Sequence, residues 1–151
     1  MEKINLKKAY CLIIDYLTHR NAPGSSGYSD DVQFLIEDMM FLSDGKPCDP
    51  AAWSDWIKSV CKTKMIYDNQ YHDTFLTFDE IHAALVDFLK EYAYRTNSDE
   101  TKKFIDENIS LKKDTPLYNV NQAEWIKSIN KIVAQDPSEI PFLTLIKKRN
   151  F

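Results

Sequence analysis

Trp56-Ile57-Lys58-Ser59-Val60 returns as Trp125-Ile126-Lys127-Ser128-Ile129, 69 residues further along the chain. Tryptophan is rare here, with 3 in the whole sequence, so a five-residue echo built around it is not what chance gives. Two further blocks recur in the same order. Asp15-Tyr16-Leu17 matches Asp87-Phe88-Leu89, and Phe34-Leu35 followed by Glu37 matches Phe104-Ile105 followed by Glu107. Ordered blocks with slightly drifting offsets mark a diverged tandem duplication. The two units run over about 4–63 and 76–135.

Each unit reads as three helices. Leu6, Ala9, Tyr10, Ile13 and Leu17 recur at helical spacing behind Asn5, a fitting N-cap, and predict a helix to about Arg20. Asn21 to Gly27 is a loop, punctuated by one Pro and two Gly. Ser29-Asp30-Asp31 opens a second helix with its carboxylates where the N-terminal dipole favours them, and Val32, Leu35, Ile36 and Met39 form its apolar stripe. Asp49-Pro50 starts the third, a capping carboxylate followed by the imino acid that suits the first helical position. Trp53, Trp56, Ile57 and Val60 then share a face.

The second unit carries the same signals. Thr77-Phe78-Asp79-Glu80 is a capping box with Leu76 and Ile81 as its staple, leading a helix whose apolar face is Phe78, Ile81, Leu85, Phe88, Leu89 and Tyr92. Asn97 to Glu100 starts a shorter helix that turns Phe104 and Ile105 inward. Asn121-Gln122-Ala123-Glu124 reads as another capping box, with Val120 and Trp125 as its staple. Asp136-Pro137 restarts the chain into a last short helix carrying Phe142, Leu143, Leu145 and Ile146. The expectation is an all-α single domain of about seven helices: two pseudo-repeated three-helix units plus a C-terminal helix over 136–151, with no sheet. Trp56 and Trp125 should be equivalent core anchors. Trp53 has no aromatic counterpart in the second unit, where Gln122 stands, and is the better candidate for a partly exposed contact.

Composition narrows the function. At 151 residues with 44% hydrophobic and 13% aromatic content, the chain can bury a full core. A net charge of −4 gives no general support to a nucleic-acid ligand. Three widely spaced cysteines, Cys11, Cys48 and Cys61, point to free thiols in a reducing, cytoplasmic setting. The apolar run Cys11 to Ile14 is cut by Asp15, too short for a signal core, and no stretch is long enough to span a membrane.

No motif supplies catalysis or a cofactor. With Glu80 at the twelfth place of a calcium loop, Tyr71 falls third and Thr74 stands where Gly is required. His19, His72, His82 and the cysteines show no paired zinc spacing. The expectation is a non-enzymatic binding protein without metal or cofactor. Its distinctive feature is charge: Asp30, Asp31, Glu37, Asp38, Asp44, Asp49 and Asp55 crowd one segment, opposed by Lys46 alone. Helix N-termini account for Asp30, Asp31 and Asp49 but not for Asp44 or Asp55.

Tyr28-Ser29-Asp30-Asp31, then Phe41-Leu42-Ser43-Asp44-Gly45, then Asp49-Pro50-Ala51-Ala52-Trp53-Ser54-Asp55-Trp56 resemble, in order, the small helical immunity proteins found beside bacterial polymorphic toxins, including contact-dependent growth inhibition systems. The stretch Leu76 to Asp99 resembles the first helix of the same proteins. The second unit lacks the Asp-Gly and Asp-Pro block and has Tyr118-Asn119-Val120-Asn121 instead. The resemblance implies a protein that binds and neutralises a cognate toxin inside the producing cell. Asp30, Asp31, Asp44, Asp49 and Asp55, with Trp53, are the expected contacts to a basic toxin domain. The alternatives are a scaffold module that docks a partner helix in a groove between the units, and a small enzyme with an irregular site.

Overall fold

The computed structural model describes residues 2–114 and 117–135. The predicted C-terminal helix over 136–151 lies outside the described residues. Among the described residues six α-helices form the body: α1 (Leu6–Arg20), α2 (Asp30–Met39), α3 (Pro50–Lys64), α4 (Phe78–Thr96), α5 (Asp99–Phe104) and α6 (Tyr118–Ala134). A π-helical turn, Ile105–Ile109, continues α5, and a short 3₁₀ turn, Asp68–Gln70, lies between α3 and α4.

The expectation of no sheet is overturned. β1 (Lys3–Asn5) and β2 (Phe75–Thr77) pair antiparallel, with Ile4 opposite Leu76 at the centre. Each strand is three residues long and runs straight into a helix, so no helical periodicity betrays it. What holds the pair is burial of Ile4 and Leu76 while their neighbours face outward.

Most predicted caps are in place. Lys8, Val32, Ala51 and Thr101 donate their backbone N–H to Asn5, Ser29, Asp49 and Ser98. Thr77 and Glu80 form the reciprocal box, at 3.2 and 2.8 Å. Asn121 does not cap anything. It lies one turn inside α6, fully buried, and its carboxamide donates to the carbonyls of Glu107 and Ser110. Asn with Glu three residues on fits a cap, but here the side chain is spent on the π-turn rather than on its own helix.

The core is one cluster with α1 at its centre. Every residue from Ala9 to Leu17 is buried, Asp15 included, so α1 is enclosed all round rather than along the single face its spacing predicts. The order strand, helix, helix, helix occurs twice, and the halves interlock. The third helix of each packs chiefly on the first helix of the other: α3 on α4, and α6 on α1.

The residues that recur in the sequence make those two contacts. Trp56 stands edge-on to Phe88 at 6.1 Å, and Trp125 edge-on to Tyr16 at 4.9 Å. Beside the first ring, Asp87 accepts from Ser59 at 2.9 Å and Lys62 at 2.8 Å. Beside the second, Asp15 accepts from Ser128 at 3.0 Å and Lys131 at 2.7 Å. The clamps match group for group. They differ in depth, for Asp15 is almost fully buried while Asp87 is partly open.

A second match lies between α2 and α5. Ser29 donates to Glu100 at 2.8 Å, and Ser98 donates to Asp31 at 2.6 Å. Each N-cap serine is thus tied to the first-turn carboxylate of the other helix. Setting Ser29 against Ser98 puts Leu35 opposite Phe104, both buried, whereas Phe34 is 60% exposed. The sequence pairing of Phe34 with Phe104 is therefore one residue out of register.

Candidate protein-binding face

The acidic segment divides once its side chains are placed. Asp31 is committed inside the molecule, its carboxylate to Ser98 and its carbonyl to the Tyr92 hydroxyl at 2.8 Å. Asp49 caps α3, and its backbone N–H donates to the Asp38 carbonyl. Asp55 pairs with Arg95 at 3.0 Å, in the cleft between α3 and α4. Trp53 is half-buried, edge-on to Tyr10 at 5.1 Å. Asp30 and Asp44 remain exposed.

Asp44 sits at the tip of a hairpin closed by a bridge between Phe41 and Pro47. Its carboxylate accepts the Lys46 N–H at 3.0 Å, and Gly45 takes the left-handed turn at φ 81 that a side chain would resist. Cys48 N–H donates to the Met40 carbonyl at 2.7 Å, so the hairpin is pinned to the end of α2. Asp49, just beyond the hairpin, is likewise tied to α2, through the Asp38 carbonyl.

The residue the sequence reading missed is Phe34. Val32, Leu35, Ile36 and Met39 already complete the buried stripe of α2, which leaves Phe34 outside it. On a helix, residues three and four apart are neighbours. Phe34 is therefore bordered by Asp30 and Asp31 on one side and by Glu37 and Asp38 on the other. The signal was available: a large aromatic off the stripe of an amphipathic helix needs a reason. At the corresponding place α5 carries Lys102 and Lys103, where α2 has Gln33 and Phe34.

The rim of this face depends on ionised carboxylates. Hydrogen bonds from the Asp31 backbone N–H and the Ser29 hydroxyl hold Glu100 below the ordinary carboxylate range. A lowered folded-state pKa contributes stability above the unfolded value and loses it as pH falls through the folded value. Glu100→Gln should therefore be less stable than the parent at neutral pH, with the difference shrinking on acidification below about pH 4.5. Urea titrations at a series of pH values check this; a gap that widens in acid would contradict the assignment.

Cys11 and Cys61 are buried, and burial pushes the Cys11 thiol up to about 12, which makes it a poor nucleophile. Among the described residues no group of three or more His, Cys, Asp or Glu is placed to hold a metal ion. No helix among them is long and apolar enough to cross a membrane. Compared with protein-family models, with curated proteins and with solved structures, the chain matches none of them.

Proposed function

We propose that this chain is a binding protein of the immunity type, which neutralises a cognate toxin by covering a basic surface with the outer face of α2. The observation that carries the reading is Phe34, 60% exposed with carboxylates one turn before and after it. An aromatic anchor within a ring of charge suits a partner surface that is cationic with a local apolar pocket. Asp30, Glu37 and Asp44 would steer the encounter, and Phe34 would set the lifetime of the complex. Asp31, Asp49, Asp55 and Trp53 would support the face from within. The interlocked halves are then a diverged duplication in which one copy of the second helix specialised for the partner and the other kept to packing.

The scaffold alternative has less to support it. Phe88 and Ser59 line the cleft between α3 and α4 together with six charged residues, among them Asp55, Lys62, Asp87 and Arg95, and ion pairs already span it. Such a cleft offers little to the apolar face of a partner helix.

The test is co-expression with the product of the neighbouring open reading frame, scored by rescue of growth and by binding of the purified pair. Phe34→Ala should weaken binding by about 30-fold or more, as an interface anchor does, while leaving the melting temperature unchanged. Asp30→Lys with Glu37→Lys should slow association and reduce its dependence on salt. Parental affinity in the Phe34 variant would overturn the proposal.

A further inference from the structure

The second half has an open groove where the first half is closed by a pair of aromatic rings. The groove lies between α4 and the π-turn, with a volume of about 360 Å³, and its lining includes His82, Val86, Ile105, Ser110 and Leu111. Aligning the N-caps Asn5 with Thr77 and Ser29 with Ser98 places Tyr10, Ile14 and Ile36 where the second half has His82, Val86 and Ile105. Aligning the C-caps Met40 and Ser110 then sets Phe41 against Leu111. In the first half Phe41 meets Tyr10 edge-on at 5.6 Å, and both rings are at most 2% exposed. His82, Val86, Ser110 and Leu111 are each smaller than their counterparts, and all four are only partly buried. Space that a phenyl ring fills in one half stands open in the other.

The π-turn adds to the difference. In α2 the closing bond runs from Met40 N–H to the Ile36 carbonyl, four residues back. In the second half it runs from Ser110 N–H to the Ile105 carbonyl, five residues back, at 2.9 Å. One extra residue in a turn widens the helix, and such turns are frequent at functional sites. This one is held rigidly from behind, which keeps the groove from collapsing. Asn108 donates to the Ser26 carbonyl and accepts from Arg20 at 2.9 Å, and Asn121 donates to the Glu107 and Ser110 carbonyls at 3.0 Å.

The lining suits a neutral ligand. Lys90 and Asp106 contribute one charge of each sign, and Lys112 is already engaged. Neither sign is left in excess to attract an ion. The polar anchor is His82. Its Nε2 lies 2.9 Å from the Ile109 carbonyl, which can only accept, so that nitrogen carries the proton. Burial holds the imidazole below its ordinary pKa, which keeps the ring neutral and Nδ1 unprotonated. The hydrogen bond that His82 makes among the described residues is through Nε2, so Nδ1 keeps a lone pair to offer a donor.

We propose that this groove binds a neutral aromatic molecule of one or two fused rings that bears a single N–H or O–H donor. The ring takes the place that Phe41 holds in the first half, against Val86, Ile105 and Leu111, and the donor bonds to His82 Nδ1. The volume sits at the lower end of the range for small-molecule sites, roughly 300–1,000 Å³. The proposal is independent of the partner face on α2.

The probe is indole, titrated into the full-length protein and followed by amide chemical shifts, with benzofuran as a control of the same shape that lacks the donor. Saturable one-to-one binding of indole is expected, with shifts concentrated at Val86, Ile105 and Leu111. Benzofuran should bind about five-fold more weakly, the worth of one hydrogen bond. Tryptamine and indole-3-acetate carry the same ring with opposite charges, and neither should bind more tightly than indole. Ser110→Met with Leu111→Phe gives the groove the residues of the first half and should abolish indole binding without lowering the melting temperature. Should that pair misfold, Val86→Phe blocks the same space from α4. No saturable binding of indole, shifts centred elsewhere, benzofuran as tight as indole, a charged derivative that binds more tightly, or undiminished binding in a folded filled variant would each overturn the proposal.

Discussion

Trp56→Ala should destabilise the protein by roughly 3–5 kcal/mol, and Trp125→Ala by a similar amount. The expectation comes from burial and from what each ring touches. Trp56 is fully enclosed, edge-on to Phe88 at 6.1 Å and tilted against Tyr10 at 6.4 Å. Trp125 is 4% exposed and lies between Tyr16 at 4.9 Å and His82 at 5.4 Å. Removing either indole leaves a hole at the junction of a third helix with the opposite first helix, where collapse is opposed from both sides. For a chain of this size the melting temperature should fall by roughly 6–20 °C. Urea denaturation followed by far-ultraviolet circular dichroism measures it without relying on the deleted fluorophore.

Trp56→Phe gives a finer reading. The Trp56 indole N–H and the Tyr10 hydroxyl are buried with no hydrogen-bond partner among the described residues. Phenylalanine keeps most of the ring contact and removes the buried donor, so its cost should be well under that of alanine. A large loss in one tryptophan variant and almost none in the other would separate the two junctions energetically and remove the case for equivalent anchors.

The recurring blocks proved informative because they are interface residues. Asp15-Tyr16 and Asp87-Phe88 lie on the first helices, and the two Trp-Ile-Lys-Ser blocks on the third. A repeat alignment reports which residues correspond but not which touch, and it does not distinguish two side-by-side bundles from interlocked halves. The caps Asn5, Ser29, Asp49 and Thr77 were legible because capping is local chemistry. The strand pair was not, since three residues of β structure leave no period to detect. The acidic segment was legible as composition alone. Asp31 and Asp55 have partners in the other half, Ser98 and Arg95, that only the packing brings near. Phe34 was obscured by its false match to Phe104. The extra residue of the π-turn makes both a 69- and a 70-residue offset look reasonable there, and only burial decides between them.

Asn121 allows the two readings of one residue to be separated by experiment. As an N-cap it would tolerate Asp or Ser with a change of about 1 kcal/mol or less. As a buried interior group it should tolerate neither. Its Nδ2 donates to the carbonyls of Glu107 and Ser110, and its Oδ1 accepts from Arg20 at 2.7 Å. Asp at this position keeps the acceptor for Arg20 but turns an unprotonated oxygen towards two carbonyls. Leu keeps the approximate volume and removes every bond, leaving those carbonyls and part of the guanidinium without their partner. Each buried group left unsatisfied costs about 1–3 kcal/mol, so with three such groups Asn121→Leu should lose at least about 3 kcal/mol in total. The damage should be directional. Tyr16 donates to the Asn108 and Asn121 carbonyls and Arg20 binds Asn108, so the same network holds the π-turn against α1. Amide hydrogen exchange in Asn121→Asp should therefore accelerate first over Ile105–Ile109, with α3 and α4 protected as before. Tolerance of Asp at a cost below about 1 kcal/mol would return Asn121 to the helix start, and would leave the widened turn without the side chain that now holds it.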